Sequence, residues 1–253
     1  MPNTPILIRA AARGGKFLGV DAGGANLWVL NATTGESYAA QVLVNGDSGP
    51  PTMMTAPALR DSPVPVDDAT AGWSLAPNLG RPCLLYIAVE GPVKYPDQAA
   101  IAITQARVLP GVGTGDPARG DTGLVVEIPG ICISVDDHAY VDATRSLTVR
   151  AAVMMMCGCK VGATIGDASP WPPAEFDVQL VVGFGGRNTQ AYTMTYSGTP
   201  SIYTISQTVP SKPAWAMITV SQISMGQSGV CRVFGDAPAP KTSAPLPVWI
   251  ERR

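Results

Sequence analysis

The run Val153-Met154-Met155-Met156-Cys157-Gly158-Cys159-Lys160 concentrates more soft sulfur than any other part of this chain. It ends a segment, from about Ser146, in which Leu147, Val149, Ala151, Val153, Met155 and Cys157 share one face at a period of two. Three chemistries compete for it. Met and Cys are adaptable apolar fillers, which predicts packing at the closed end of a sandwich. Two thiolates with a thioether, at Cys157, Cys159 and Met155, would suit a soft ion such as Cu(I), the one cofactor this sequence points to. Cys157 and Cys159 could also work as a redox pair: Gly158 lets the chain bend enough to bridge them, and Lys160 would lower a thiol pKa. Both chemical readings require the sulfurs to be accessible.

A second cluster, Asp136-Asp137-His138-Ala139-Tyr140-Val141-Asp142, holds the only histidine of the chain. One imidazole rules out a multi-histidine metal site within a subunit. A hydrolase built on a nucleophile, a histidine and an acid would have to use His138 with Asp136 or Asp137. No Gly-x-Ser-x-Gly elbow accompanies it, and Met225-Gly226-Gln227-Ser228-Gly229 resembles one only superficially. The plain expectation is an exposed acidic turn between strands 131–136 and 146–157. A Ca²⁺ loop using Asp136, Asp137 and Asp142 is the alternative, without EF-hand spacing. Trp171, in Ser169-Pro170-Trp171-Pro172-Pro173, sits on a stiff loop. It either plugs the open end of a sandwich or, with Asp136, Asp137 and His138 as a further patch, offers a binding surface.

The elements that position these groups read as strands. Period-two or short apolar runs occur at 4–10, 25–31, 37–44, 70–76, 83–90, 123–128, 131–136, 146–157, 175–184, 189–196, 201–207, 215–222 and 229–234. Turn clusters such as Thr33-Thr34-Gly35, Asn45-Gly46-Asp47 and Gly185-Gly186-Arg187-Asn188 separate them. Residues 95–107 read equally as an Asp97-capped helix or as a strand alternating at Ile101 and Ile103. The fold class is therefore all-β, with two tandem β-sandwiches. A Pro-rich insertion at 50–69 and a Gly-rich stretch at 109–122 look like loops or linkers. They set the domains at 1–112 and 113–235, followed by a Pro-rich tail at 236–253 with prolines at 238, 240, 245 and 247.

Composition narrows the function classes. Of 253 residues only 14% are charged, the net charge is -2, and 46% are apolar, where about 25% charged is usual. No basic excess exists to hold a phosphate backbone, so nucleic-acid binding is excluded. No apolar run is long enough for membrane insertion, and no signal-like leader is visible, which predicts a cytoplasmic chain, or a periplasmic or extracellular one where the N-terminus has been processed. The five cysteines fit neither a disulfide framework nor a CxxC zinc pattern; Cys83, Cys132 and Cys231 lie in apolar runs and are expected to be buried. So few charges predict a surface partly covered, by copies of this chain or by a protein partner.

Residues 17–49 carry a distinctive order: Gly24, Ala25, Leu27 and Val29, then Thr34-Gly35, then Asp47 and Gly49. With Tyr86-Ile87-Ala88-Val89 downstream, the stretch from about 6 to 108 resembles the carboxypeptidase-regulatory-like, or transthyretin-like, β-sandwich. The insertion at 50–69 departs from that pattern. The resemblance implies a fold and a non-catalytic accessory or binding role, with no active site. The glycines at 19, 23 and 24 are not a phosphate loop, because a strand-like run rather than a helix follows them. The C-terminal half carries no such resemblance. Together these readings predict a non-enzymatic structural or accessory binding module that assembles with itself or a partner protein. A thiol site at Cys157 and Cys159 is the alternative, and a His138 hydrolase the third.

Overall fold

A computed structural model describes residues 3–55, 64–115, 121–164, 169–186 and 188–236. The tail expected at 236–253 lies outside them from residue 237 on, as does the middle of the 50–69 insertion. The chain is all-β and divides into two compact units between Pro129 and Gly130.

The first unit contains β1 (Ile6–Ala12), β2 (Ala25–Asn31), β3 (Ser37–Val44), β4 (Trp73–Leu75), β5 (Cys83–Gly91), β6 (Ala100–Val108) and β7 (Leu124–Ile128). Four form one antiparallel sheet, in the order β3-β2-β5-β6, and three form another, β4-β1-β7. Alternation assigns the faces. Leu27 and Val29 pair across with Val89 and Ile87, and all four are at most 1% exposed. Burying each such side chain contributes about 1.5–3 kcal/mol. The other face carries Asn26, Trp28 and Leu30 on β2, in rows with Glu90, Ala88 and Tyr86 on β5. The turn leading into β2 needs glycine: Gly23 and Gly24 have φ of 74° and 75°, and a Cβ on Gly24 would run into the Val44 carbonyl. The ambiguity at 95–107 resolves into one turn at Pro96–Gln98 followed by β6. Pairing with β5 over its whole length holds β6 extended, whatever the local helix propensity of its alanines.

The stretch at 109–122 is no linker between domains. The Gly111 N–H donates to Thr4 Oγ1 (2.9 Å), the Thr114 N–H to the Pro5 carbonyl (2.9 Å), and the Leu7 N–H to Thr114 Oγ1 (3.1 Å). This stitching lays the chain along the start of β1, and β7 then pairs parallel with β1. The boundary therefore falls at 129/130 rather than at 112/113.

The second unit contains β8 (Ile131–Val141), β9 (Ser146–Met155), β10 (Phe176–Gly183), β11 (Thr189–Thr193), β12 (Thr195–Tyr196), β13 (Ile202–Thr208), β14 (Trp215–Gln222) and β15 (Gln227–Phe234). Its sheets run β12-β13-β9-β8 and β11-β10-β14-β15. Leu147, Val149, Ala151, Val153 and Met155 on β9 and Val178, Leu180 and Val182 on β10 are each at most 2% exposed. The period-two reading of the 146–157 segment thus holds as far as Met155, where the strand ends.

Candidate functional site

The sulfur run closes a hairpin. The Gly158 N–H donates to the Met155 carbonyl (2.8 Å), and the Met155 N–H to the Cys159 carbonyl (2.9 Å). Gly158 sits at φ 82°, the left-handed conformation a three-residue hairpin loop needs at this place. Met156 and Cys157 form the tip. They are 0% and 1% exposed, although a hairpin tip ordinarily faces water. On β8, Cys132 pairs with Met154 and so lies on the opposite face from Met155. The tip folds back over that position: the Cys132 thiol donates to Met156 Sδ at 3.6 Å, and Gly130 leaves room for the Met156 thioether, which stands 3.1 Å from where its Cβ would be. Burial, and after it the nearby Cys157 sulfur, pushes the Cys132 thiol up to about 12. Such a thiol is neutral at physiological pH and is a poor nucleophile or ligand.

The structure thus regroups the sulfurs. Met155, Cys157 and Cys159 are not gathered around a common point that solvent reaches. Met155, at 0% exposed, belongs to the sandwich interior, Cys157 belongs to the buried tip, and Cys159 is half-buried on the segment that returns from it. The access that Cu(I) capture or thiol exchange needs is absent at Met155 and Cys157. Among the described residues, no three His, Cys, Asp or Glu side chains converge as a metal site. The contact of Cys132 with Met156 could not be read from spacing, because it depends on how the hairpin tip folds.

The acidic cluster is not a turn. β8 continues through it to Val141, and the turn comes at Asp142–Arg145. The register shifts between Val135 and Asp137, which makes Asp136 the extra residue of a bulge. Its carboxylate accepts from Arg150 Nε at 3.3 Å, an exposed pair of small energetic worth. His138 pairs with Val149 and so prolongs the inward face, but β8 is the edge strand of its sheet and His138 is exposed although Val149 is buried. Its ring stacks on Phe234 of β15, with centroids 5.3 Å apart and planes inclined by 22°. Asp136 and Asp137 point away from that stack, and neither hydrogen-bonds to the imidazole, so the three do not form the arrangement a hydrolase needs.

Trp171 is 2% exposed. Its carbonyl accepts the Gly162 N–H (2.8 Å), and the Pro173 carbonyl two residues on accepts from the Tyr203 hydroxyl (3.3 Å). The tryptophan side chain is buried rather than presented at the surface.

Two features of the first unit escape a reading by motif. Arg9, on β1, is only 6% exposed. Its Nη1 donates to the carbonyls of Thr70 (2.5 Å) and Ala71 (2.8 Å), and its Nε to that of Thr122 (3.0 Å). The guanidinium also lies 5.6 Å from the Phe17 ring centroid. Burial lowers its pKa from the ordinary value, while the charge of Asp67 opposes that shift. This buried cation fastens two irregular segments to β1. The second feature is a recess of about 320 Å³ in which Asn31, Thr33, Glu36, Tyr38 and Arg81 stand beside the apolar Leu79 and Cys83. Asn31 organises it: its Oδ1 accepts the Thr33 and Thr34 N–H groups (2.9 and 3.3 Å), and its Nδ2 donates to Tyr38 Oη (2.9 Å). The amide is occupied in holding the hairpin, as Asx turns are.

No family model matches the chain, and no curated protein does. Among solved structures, it is similar to the crystal structure of a DUF3823 family protein from Parabacteroides merdae, with 10% sequence identity over 92% of this chain and 99% of that one and a TM-score of 0.26. At that score the similarity carries no argument about function.

Proposed function

We propose that this chain is a non-enzymatic structural or accessory module that works by binding protein, a copy of itself or another chain. The observation that carries the reading is the outward face of the β3-β2-β5-β6 sheet. On it Trp28 and Ala88, already buried at the centre, stand in a row with Ile103, while Leu30 stands with Tyr86 and Asn26 with Leu43. Leu43 and Ile103, on the two outer strands, are each 51% exposed. Only Glu90 and Arg107 bring charge to the rows of β2, β5 and β6 on this face. A sheet face so poor in charge is suited to being covered. The glycine turn at 23–24 and the Thr34-Gly35 hairpin support a transthyretin-like accessory domain for this unit. No cofactor and no nucleic acid enter this reading.

The test places a photo-crosslinking amino acid at Leu43 or Ile103 of the full chain, with Ser221 of β14 as the control. Adducts to one polypeptide species, reproduced with that species purified, are expected at the two face positions. Adducts no more frequent than at Ser221 would refute the module.

A further inference from the structure

Two charges of opposite sign line the recess of the first unit. Glu36 follows the hairpin that joins β2 to β3, Arg81 lies on the segment leading into β5, and both are exposed. Neither meets an oppositely charged side chain among the described residues, and no ion pair joins the two to each other. The walls that carry them are fixed by backbone bonds. On the hairpin side the Ala32 N–H donates to the Leu84 carbonyl (2.8 Å) and the Leu84 N–H to Thr33 Oγ1 (3.4 Å). On the other side the Thr4 N–H donates to the Pro77 carbonyl (3.1 Å), and Asn78 forms a bridge with Asn3. The floor is apolar and closed: Leu79 and Cys83 are 3% and 6% exposed. Burial pushes the Cys83 thiol up, which keeps it neutral. The Tyr38 hydroxyl accepts from Asn31 Nδ2 (2.9 Å) and turns its own proton towards the Glu36 carboxylate, which it orients.

We infer that this recess binds a small zwitterion, an α-amino acid with an apolar side chain. Charge and size select it. The planar guanidinium of Arg81 matches a carboxylate with two parallel donors, and the Glu36 carboxylate accepts from an ammonium group. A ligand that carries both groups satisfies both charges at once, which a simple anion or cation does not. Apart from these two, no charged side chain lines the recess, so its charges sum to zero, as those of a zwitterion do. The apolar side chain of the ligand covers Leu79 and Cys83, and the Asn78 amide offers a further donor and acceptor. A volume of about 320 Å³ stands at the small end of ligand pockets, which suits one amino acid rather than a peptide. A neutral sugar of similar size would leave both charges without a counter-charge. Because Glu36 and Arg81 are exposed, solvent and salt screen them, and the affinity is modest and falls with ionic strength. This site goes beyond the protein-binding reading and does not depend on it.

The experiment titrates the full chain with L-leucine in low-salt buffer near neutral pH and follows the backbone amide shifts by nuclear magnetic resonance. A saturable response in the millimolar range, centred on residues 33–38 and 78–83, is expected. N-acetyl-leucine lacks the ammonium charge and leucine methyl ester lacks the carboxylate, and each should bind roughly tenfold more weakly, or worse. Arg81→Gln and Glu36→Gln should each weaken L-leucine by roughly tenfold while leaving the circular dichroism and the urea midpoint unchanged, since both positions are exposed. Ser221→Ala, in the other unit, should bind as the parent does. The absence of a saturable response to L-leucine overturns the inference, as does a response centred outside the recess or one indifferent to both variants. Equal binding of leucine methyl ester means a cation site only, and equal binding of N-acetyl-leucine an anion site only; either overturns the zwitterion. D-glucose shifting the same amides where L-leucine does not would give the recess to sugars and overturn it too. None of these outcomes alters the crosslinking at Leu43 and Ile103, so the two readings fail separately.

Discussion

The thiols of the second unit give the sharpest check on whether the sulfur run is a chemical site or packing. Their reactivity with a maleimide or an aromatic disulfide depends on thiolate fraction and on access. Cys132 is 0% exposed, and its thiol is pushed up to about 12 from an ordinary 9.0. At pH 8 an unperturbed thiol is roughly a tenth ionised, whereas one near 12 is ionised at about one part in ten thousand, a difference on the order of a thousandfold before access is counted. Cys157, 1% exposed at the folded-back tip, is closed by access alone. Cys159 and Cys231 are half-buried and should react first. The assay labels the native protein over time and assigns each modified cysteine by peptide mass. Cys132 and Cys157 should lag behind Cys159 by at least a thousandfold, until denaturant opens the unit and all become equivalent. If Cys157 were labelled as fast as Cys159, or if anaerobic titration showed one-to-one Cu(I) retention lost in Cys157→Ser/Cys159→Ser, the packing account of the tip would be refuted.

Other outcomes follow from single contacts. Arg9→Met removes the donors to three carbonyls while keeping an apolar stem, and should destabilise the first unit by about 3–5 kcal/mol; an unchanged denaturant midpoint would show that the carbonyls find other donors. Trp171→Ala removes a buried ring and should cost about 3–5 kcal/mol in the second unit, read from urea unfolding, and a loss below about 1 kcal/mol would mean the ring is dispensable. His138→Ala removes only an edge stack and should cost no more than about 1 kcal/mol; the same chemical-denaturation series checks it. Because the folded-state pKa of Cys132 is raised, the fold favours the neutral thiol. Its contribution is complete below pH 9 and is lost as pH rises from 9 towards 12, by about 1.4 kcal/mol at pH 10. Cys132→Ala should flatten that alkaline slope in unfolding titrations, and an unaltered slope would refute the assignment.

Strand positions were largely legible because alternation is a local property. Leu27 with Val29, and Leu147 with Val149, Ala151 and Val153, announce an inward face wherever the strands come to lie. The turns around β2 were legible for a similar reason: left-handed positions at Gly23, Gly24 and Gly35 demand glycine whatever packs around them. Asp136 to Tyr140 misled because polar residues in series read as a turn. They stay extended, since pairing with β9, resumed after a bulge at Asp136, holds them in the edge strand. The 109–122 stretch misled because glycines read as a linker. Here they allow close approach: Cβ atoms at Gly113, Gly115 and Gly123 would collide with Pro5 or Leu7.

The sequence by itself determined an all-β chain of two units, the inward faces of most strands and the lack of charge on the surface. These follow from side-chain period, turn stereochemistry and composition, each readable a few residues at a time. Only the tertiary structure decided which sulfurs meet, that Trp171 is buried, that Arg9 clamps three distant carbonyls and that β6 is the last strand of its sheet. Each of those depends on residues tens of positions apart being brought together, as Arg9 is with Thr70 and Thr122, and no local pattern encodes the partner of a long-range contact.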